Sequence, residues 1–176
     1  EMDEIQQQVA LLRGLSPTNQ VTRALINSDQ LRQNVTNDFL SDYSAEEAQT
    51  DALVFSAFGL LEPDFPLLDF YLELYSEQIA GYYDHETKEM FIVQGSGFNG
   101  PERLTYAHEY VHALQDQAFD IDQGLRFNDE DCEDGSERCL GIQALLEGDA
   151  SLLELQWFDQ YATSTDRAQV LDYAAG

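Results

Sequence analysis

Two histidines and a glutamate in one short stretch have the spacing that metal-assisted hydrolysis requires. His108 and His112 are four residues apart, and Glu109 directly follows the first histidine. On an α-helix, residues four apart share a face and lie about 6 Å apart along the axis, so both imidazoles can bind one ion. The Glu109 side chain points away from the face that binds the metal, so it is not a ligand. It can take a proton from a water molecule beside the metal. The pattern predicts a zinc site with an adjacent general base.

The alternative is that both imidazoles are ordinary core side chains. Leu104, Ala107 and Val111 place an apolar face alongside them. Two uncharged imidazoles in a core would each need a buried hydrogen-bond partner. The chain has three histidines and two of them belong to this motif, so we favour metal binding.

A zinc ion that keeps one position open for water needs a third protein ligand. The metzincin pattern would require glycine at position 115 and histidine at position 118, where the chain has Gln115 and Ala118. A carboxylate farther along the chain remains, and Glu147 stands among small residues that would let two helices approach closely. A glycine inside a helix costs about 1 kcal/mol relative to alanine, so Gly148 suggests a packing or functional reason. We predict Glu147 as the third ligand, with a solvated helical glutamate as the alternative.

These residues resemble the gluzincin class of zinc metallopeptidases, to which thermolysin belongs. More narrowly, the chain resembles a set of poorly characterised bacterial metallopeptidases over about Gln78–Leu155. The segments that carry this likeness are Gly81–Asp84, Leu104–Gln117 and Glu147–Ala150. The resemblance implies that His108, His112 and Glu147 ligate zinc. It gives Glu109 the role of general base and acid in peptide-bond hydrolysis.

At other positions around the motif, the sequence departs from the gluzincin pattern or allows two interpretations of a residue's role. Asp116 matches a carboxylate four residues after the second histidine, which implies a supporting or structural role rather than a solvated aspartate. An aspartate four residues after the glutamate ligand often orients the first histidine, but the chain has Ser151 there. Asp149 lies on a different face of a regular helix. The sequence does not place a residue that stabilises the oxyanion; Tyr106, Tyr161 and His85 are candidates, with packing or surface roles as the alternative.

Charge and composition exclude several classes of partner. The chain has 34 acidic and 8 basic residues, a net charge of −26, so we predict no nucleic-acid partner and no affinity for anionic membranes. No run of about 18 apolar residues occurs, which predicts no transmembrane segment. We interpret the acidic residues as solvated surface, with bound calcium as the alternative. An EF-hand loop would need glycine where the chain has Asp134.

The two cysteines predict a local disulfide. Cys132 and Cys139 flank a short polar loop with no histidine nearby to complete a metal site. Disulfides persist in oxidising compartments. We therefore expect an extracytoplasmic protein that is secreted, periplasmic or attached to a surface.

The elements that must position the site follow from periodicity and helix-capping signals. Helices are predicted over Met2–Arg13, Asn19–Ile26, Asp29–Asp42 and Ala45–Phe58. Ser44 and Glu47 predict a capping box at the start of the last of these. Another helix begins at Pro66 and is expected to turn Leu67, Phe70, Tyr71 and Leu74 inward. A β-hairpin is predicted from Gln78–Asp84 and Glu89–Gln94. The metal-bearing helices are predicted over Pro101–Phe119 and about Leu140–Tyr161.

The predicted fold class is therefore α+β, in one zincin-like domain over residues 1–176. A helical N-terminal section, residues 1–76, packs on a catalytic core, residues 77–162, in which a small sheet adjoins two long metal-bearing helices. We expect Met90–Gln94 to be the edge strand that binds an extended substrate, with an interior and purely structural strand as the alternative.

The predicted function is hydrolysis of a peptide or protein substrate by a zinc-activated water with Glu109 as base. The alternative is a non-catalytic zinc protein with a degenerate peptidase fold that binds a peptide or a partner. A third interpretation, an acidic calcium-dependent interaction module, leaves the two histidines and Glu109 unexplained.

Overall fold

A computed structural model describes residues 1–39, 43–78, 80–93, 97–132 and 136–175. Its elements, in chain order, are α1 (Met2–Arg13), β1 (Thr22–Ile26), α2 (Ser28–Asn34), α3 (Ala45–Ala57), α4 (Leu67–Gln78), β2 (Gly81–Asp84), β3 (Glu89–Val93), α5 (Gly100–Phe119), α6 (Asp129–Cys132), α7 (Glu137–Tyr161) and α8 (Ser164–Ala175). This composition of many helices and one three-stranded sheet confirms the α+β class. Within the described ranges, no helix combines the length and the apolarity that crossing a bilayer requires.

The chain forms two compact units. One comprises Glu1–Leu25 together with Ala80–Gly176, and the other comprises Ile26–Ile79. The candidate site residues all belong to the first unit, which also contains the N-terminal helix α1, strands β2 and β3, and β1 up to Leu25.

The second unit contains α2 to α4. The capping box that Ser44 and Glu47 predict is present at the start of α3: the Ser44 hydroxyl accepts from the Glu47 N–H at 3.2 Å, and the Glu47 carboxylate accepts from the Ser44 N–H at 2.8 Å. In α4, Leu67 is buried as expected, whereas Phe70 and Leu74 are exposed, so the inward face predicted for this helix is only partly correct.

The helix predicted over Asp29–Asp42 is shorter in the structure. It ends at Asn34 and is followed by a π-helical turn over Val35–Phe39, while residues 40–42 lie outside the described residues.

The helix predicted over Asn19–Ile26 is wrong, because this segment contains strand β1. The Gln117 side-chain oxygen accepts from the Thr18 and Asn19 N–H groups at 2.7 and 3.1 Å, and its amide donates to the Asn19 carbonyl at 3.1 Å. These backbone groups are therefore bonded to α5 rather than to a helical turn. The strand that follows pairs with β3, far away in the sequence.

The predicted hairpin is confirmed, but its position in the sheet differs from the expectation. β2 and β3 pair antiparallel, with Gly81 opposite Ile92 and Tyr83 opposite Met90. The strand order is β1-β3-β2, so β3 is bonded on both sides. The expectation that Met90–Gln94 forms an edge strand is wrong over its described part, Met90–Val93. β2 is the edge strand of the hairpin.

Helix α5 is the centre of the core in the first unit. Its buried apolar and aromatic residues are Tyr106, Ala107, Tyr110, Val111, Ala113 and Leu114. They share one hydrophobic cluster with Ile5 and Val9 of α1, Met90 and Ile92 of β3, and Ala150, Leu153 and Trp157 of α7. Burying one large apolar side chain contributes about 1.5–3 kcal/mol, so packing on three elements holds the helix that carries the histidines firmly in place.

The predicted disulfide is confirmed. Cys132 and Cys139 are bonded, with their Cα atoms 5.8 Å apart. The bond ties the end of α6 to the first turn of α7, the helix that carries Glu147.

Candidate metal centre

Helices α5 and α7 bring the three predicted ligands together. The Nε2 atoms of His108 and His112 are 3.2 Å apart. Glu147 Oε2 lies 3.3 Å from the first of these atoms and 3.6 Å from the second. Ligand atoms about 2.0–2.1 Å from a tetrahedral zinc ion are separated from one another by about 3.3–3.4 Å. The three atoms therefore have the spacing of ligands to a single ion.

The partners of the two imidazoles determine which ring nitrogen carries the proton. His108 Nδ1 lies 2.8 Å from Glu154 Oε2, and an ionised carboxylate only accepts, so Nδ1 donates. His112 Nδ1 lies 2.9 Å from the side-chain oxygen of Gln115, which also accepts. Each neutral imidazole consequently carries its hydrogen on Nδ1 and directs the lone pair of Nε2 toward Glu147.

Three atoms that carry lone pairs therefore lie close together with no hydrogen between them. Their lone pairs repel one another unless a cation lies at the centre of the group. Two imidazole nitrogens and one carboxylate oxygen are the donor set of catalytic zinc sites that keep a fourth position open. The Glu147 side chain is 55% exposed, which leaves this side of the group accessible to solvent. The residues present fit zinc.

The electrostatics of the group also favour a positive charge. Burial lowers the pKa of His108, but the hydrogen bond to Glu154 and the nearby carboxylates of Glu109 and Glu147 outweigh it and raise that pKa. For His112, the lowering by burial is likewise outweighed, chiefly by Glu147 and Glu109. When His112 is protonated, the hydrogen bond that its Nε2 donates is the largest cause that lowers the pKa of Glu147.

Strand β2 positions the predicted base. The Tyr83 N–H donates to Glu109 Oε2 at 2.9 Å. Burial raises the pKa of Glu109 to about 7, against the lowering effects of His112, His108 and this N–H. A carboxyl group that titrates near neutral pH can both take up and release a proton, as a general base and acid must.

Asp116 holds the hairpin that positions Glu109. It is buried and accepts from the Tyr83 hydroxyl at 2.8 Å, the Lys88 amine at 2.9 Å and the Ile121 N–H at 3.2 Å. The solvated alternative is therefore wrong. Asp116 fastens the hairpin to the end of α5, and Tyr83 links it to Glu109.

Two residues that contact the histidines were not identified from the sequence. Glu154, the partner of His108, lies seven residues after Glu147, which is about two helical turns and the same face. That spacing is the signal that could have identified it. Gln115, the partner of His112, lies three residues after that histidine, and its role becomes visible only when both helices are in place.

Gly148 does not have the packing role expected of it. A side-chain carbon added at this position would meet no other atom within 4 Å. Ala150, which is fully buried in the cluster that includes Ala107, is the small residue of α7 at the core.

Two of the three candidates for stabilising the oxyanion lie away from the predicted metal ligands. The Tyr106 hydroxyl bonds Gln6 at 2.8 Å and Arg23 at 3.3 Å, on the side of α5 opposite His108. Tyr161 borders a cavity of about 100 Å³ beside Trp157, about 21 Å along the helix from Glu147. Both tyrosines are therefore excluded from the centre.

The third candidate, His85, lies in the turn between β2 and β3. Its ring centroid is 6.4 Å from that of Phe127. Its role at the centre stays a prediction.

Comparisons with protein-family models, curated proteins and solved structures gave no match to this chain.

Proposed function

We propose that the protein is a zinc-dependent peptidase of the gluzincin type, with a zincin-like catalytic unit. The observation that carries the proposal is the convergence of His108 Nε2, His112 Nε2 and Glu147 Oε2 at separations of 3.2–3.6 Å. Glu109 lies one residue beyond the first ligand, at the position of a base. A purely structural zinc site has no need of that carboxylate.

Zinc bound by these residues supplies Lewis acidity, which lowers the pKa of water toward about 7 and polarises the substrate carbonyl. Glu109 takes one proton from the attacking water and delivers it to the amine that leaves when the peptide bond breaks. The Tyr83 N–H holds the carboxylate in place through one hydrogen bond, which leaves it the capacity to accept that proton.

Substrate binding is assigned to β2 in place of β3. The Val93 N–H donates to the Ala80 carbonyl at 3.0 Å, so alternation along the antiparallel pair directs the backbone groups of Gly81 and Tyr83 away from β3. The Tyr83 N–H already bonds Glu109. An extended peptide that pairs with the remaining groups on this edge would place its main chain beside the base.

Removal of zinc is expected to abolish cleavage of an unfolded protein such as reduced casein. Treatment with phenanthroline should eliminate cleavage, and one equivalent of zinc should restore it, because the three ligand atoms form a single site. Calcium should not restore it, since two imidazoles are poor calcium ligands. The measurement is the rate of peptide release.

Two outcomes would contradict the proposal. Cleavage that persists in zinc-free protein would indicate another mechanism. Stoichiometric zinc without any cleavage would favour the non-catalytic alternative.

A further inference from the structure

Gln115 connects the two helices that carry the ligands. Its side chain is 2% exposed. Its oxygen bonds His112 Nδ1 at 2.9 Å, and its amide nitrogen donates to the Leu146 carbonyl at 3.0 Å and to Asp149 Oδ2 at 2.8 Å. One side chain therefore bonds a ligand on α5 and the backbone of the residue that precedes the ligand on α7.

The orientation of this amide follows from its partners. The Leu146 carbonyl and the Asp149 carboxylate can only accept, so the NH₂ group of Gln115 must face them and its oxygen must face His112. A reversed amide would place oxygen against two acceptors. It would also require a lone pair on His112 Nδ1 and hence a hydrogen on Nε2, directed at the other ligand atoms.

An ion pair holds Asp149 in this position. Arg13, in the last turn of α1, donates from Nε to Asp149 Oδ2 at 2.8 Å, and each side chain is 27% exposed. The path from Arg13 through Asp149 and Gln115 to His112 spans three helices.

We propose that Gln115 is a positioning residue of the zinc centre. It selects the His112 tautomer that presents Nε2, and it fixes the separation between the backbone at Leu146 and the histidine helix. Asp149 and Arg13 hold its amide in the required orientation. The inference rests on the zinc site of the proposed function, but it does not depend on peptidase activity.

The chain offers a matched control in Gln117. This glutamine lies two residues farther along α5, and its hydrogen bonds go to the backbone of Thr18 and Asn19. Both glutamines therefore link α5 to another segment, but only Gln115 bonds a ligand. Methionine at either position removes the side-chain hydrogen bonds that link α5 to the other segment.

The first test compares zinc affinity in the full chain carrying Gln115→Met or Gln117→Met, measured by competition with a chromophoric chelator. Partners of metal ligands typically contribute 10–100-fold to affinity, so we expect Gln115→Met to weaken zinc binding by about that factor. Gln117→Met should leave the affinity unchanged while lowering the unfolding temperature. In ¹H–¹⁵N spectra of the zinc-loaded protein, the slowly exchanging Nδ1–H of His112 should be lost only in Gln115→Met.

A second test remains informative if Gln115→Met fails to fold. Gln115→Glu keeps an acceptor for His112 but places a carboxylate against Asp149, so zinc should bind more weakly. Adding Asp149→Asn restores a donor between these two positions and should recover part of the affinity.

Unchanged zinc affinity in Gln115→Met, an equal loss in Gln117→Met, or no recovery in the double variant would overturn the inference. A chain that binds no zinc would overturn it together with the proposed function. Tight zinc binding that depends on Gln115, without cleavage of casein, would contradict the peptidase alone.

Discussion

Replacing Glu109 by glutamine is expected to lower casein cleavage by about 10²–10⁴-fold, the contribution typical of a general acid–base group. The amide retains the size of the side chain but cannot accept the proton of water. The Tyr83 N–H can still donate to the amide oxygen, so the helix and strand should keep their positions. The measurement is the cleavage rate at saturating zinc.

Zinc content and unfolding temperature are the controls for Glu109→Gln, and both should match the parent protein. Equal cleavage by the two forms would show that another group is the base or that a contaminating protease acts.

Replacing His112 by alanine is expected to eliminate tight zinc binding and all cleavage with it. The variant removes one of three ligand atoms and leaves the oxygen of Gln115 without its donor. Elemental analysis of the purified protein should find about one zinc per chain in the parent, and far less than one in this variant.

His85→Ala is the matched control, because it removes a histidine from the hairpin turn that lies beside Phe127. It should keep the full zinc content. Glu147→Ala should weaken zinc binding by more than the 10–100-fold typical of residues that only support a ligand. Retention of zinc in His112→Ala, or its loss in His85→Ala, would contradict the assigned centre.

Features encoded by short spacings were predicted correctly from the sequence. The first helix has the predicted bounds, Met2–Arg13, and the capping box of Ser44 and Glu47 is present. The four-residue spacing of His108 and His112 places both rings toward one point. Such signals depend on a single turn of helix, so local chemistry determines them.

Features that depend on distant segments were mispredicted or missed. β1 exists because it pairs with β3, and that pairing also removes β3 from the edge of the sheet. No local pattern in the segment of Asn19–Ile26 indicates this partner. In the same way, the bond between Gln115 and the Leu146 carbonyl requires α5 and α7 to be packed together.

The packing role expected of Gly148 is absent for a related reason. Small size in a helix indicates close approach only if that face meets a neighbour, and a side-chain carbon added at Gly148 would meet none within 4 Å. The residues beside Glu147 instead bond Gln115 through the Leu146 carbonyl and the Asp149 carboxylate.

Anomalous diffraction recorded on both sides of the zinc absorption edge, from crystals of zinc-loaded protein, locates the metal and its ligands in one measurement. We expect one strong peak about 2.0–2.1 Å from His108 Nε2, His112 Nε2 and Glu147 Oε2, with Glu109 close to it but not bound to it. The absence of a peak at this position, or a peak bound through the Nδ1 atoms or by other residues, would contradict this expectation.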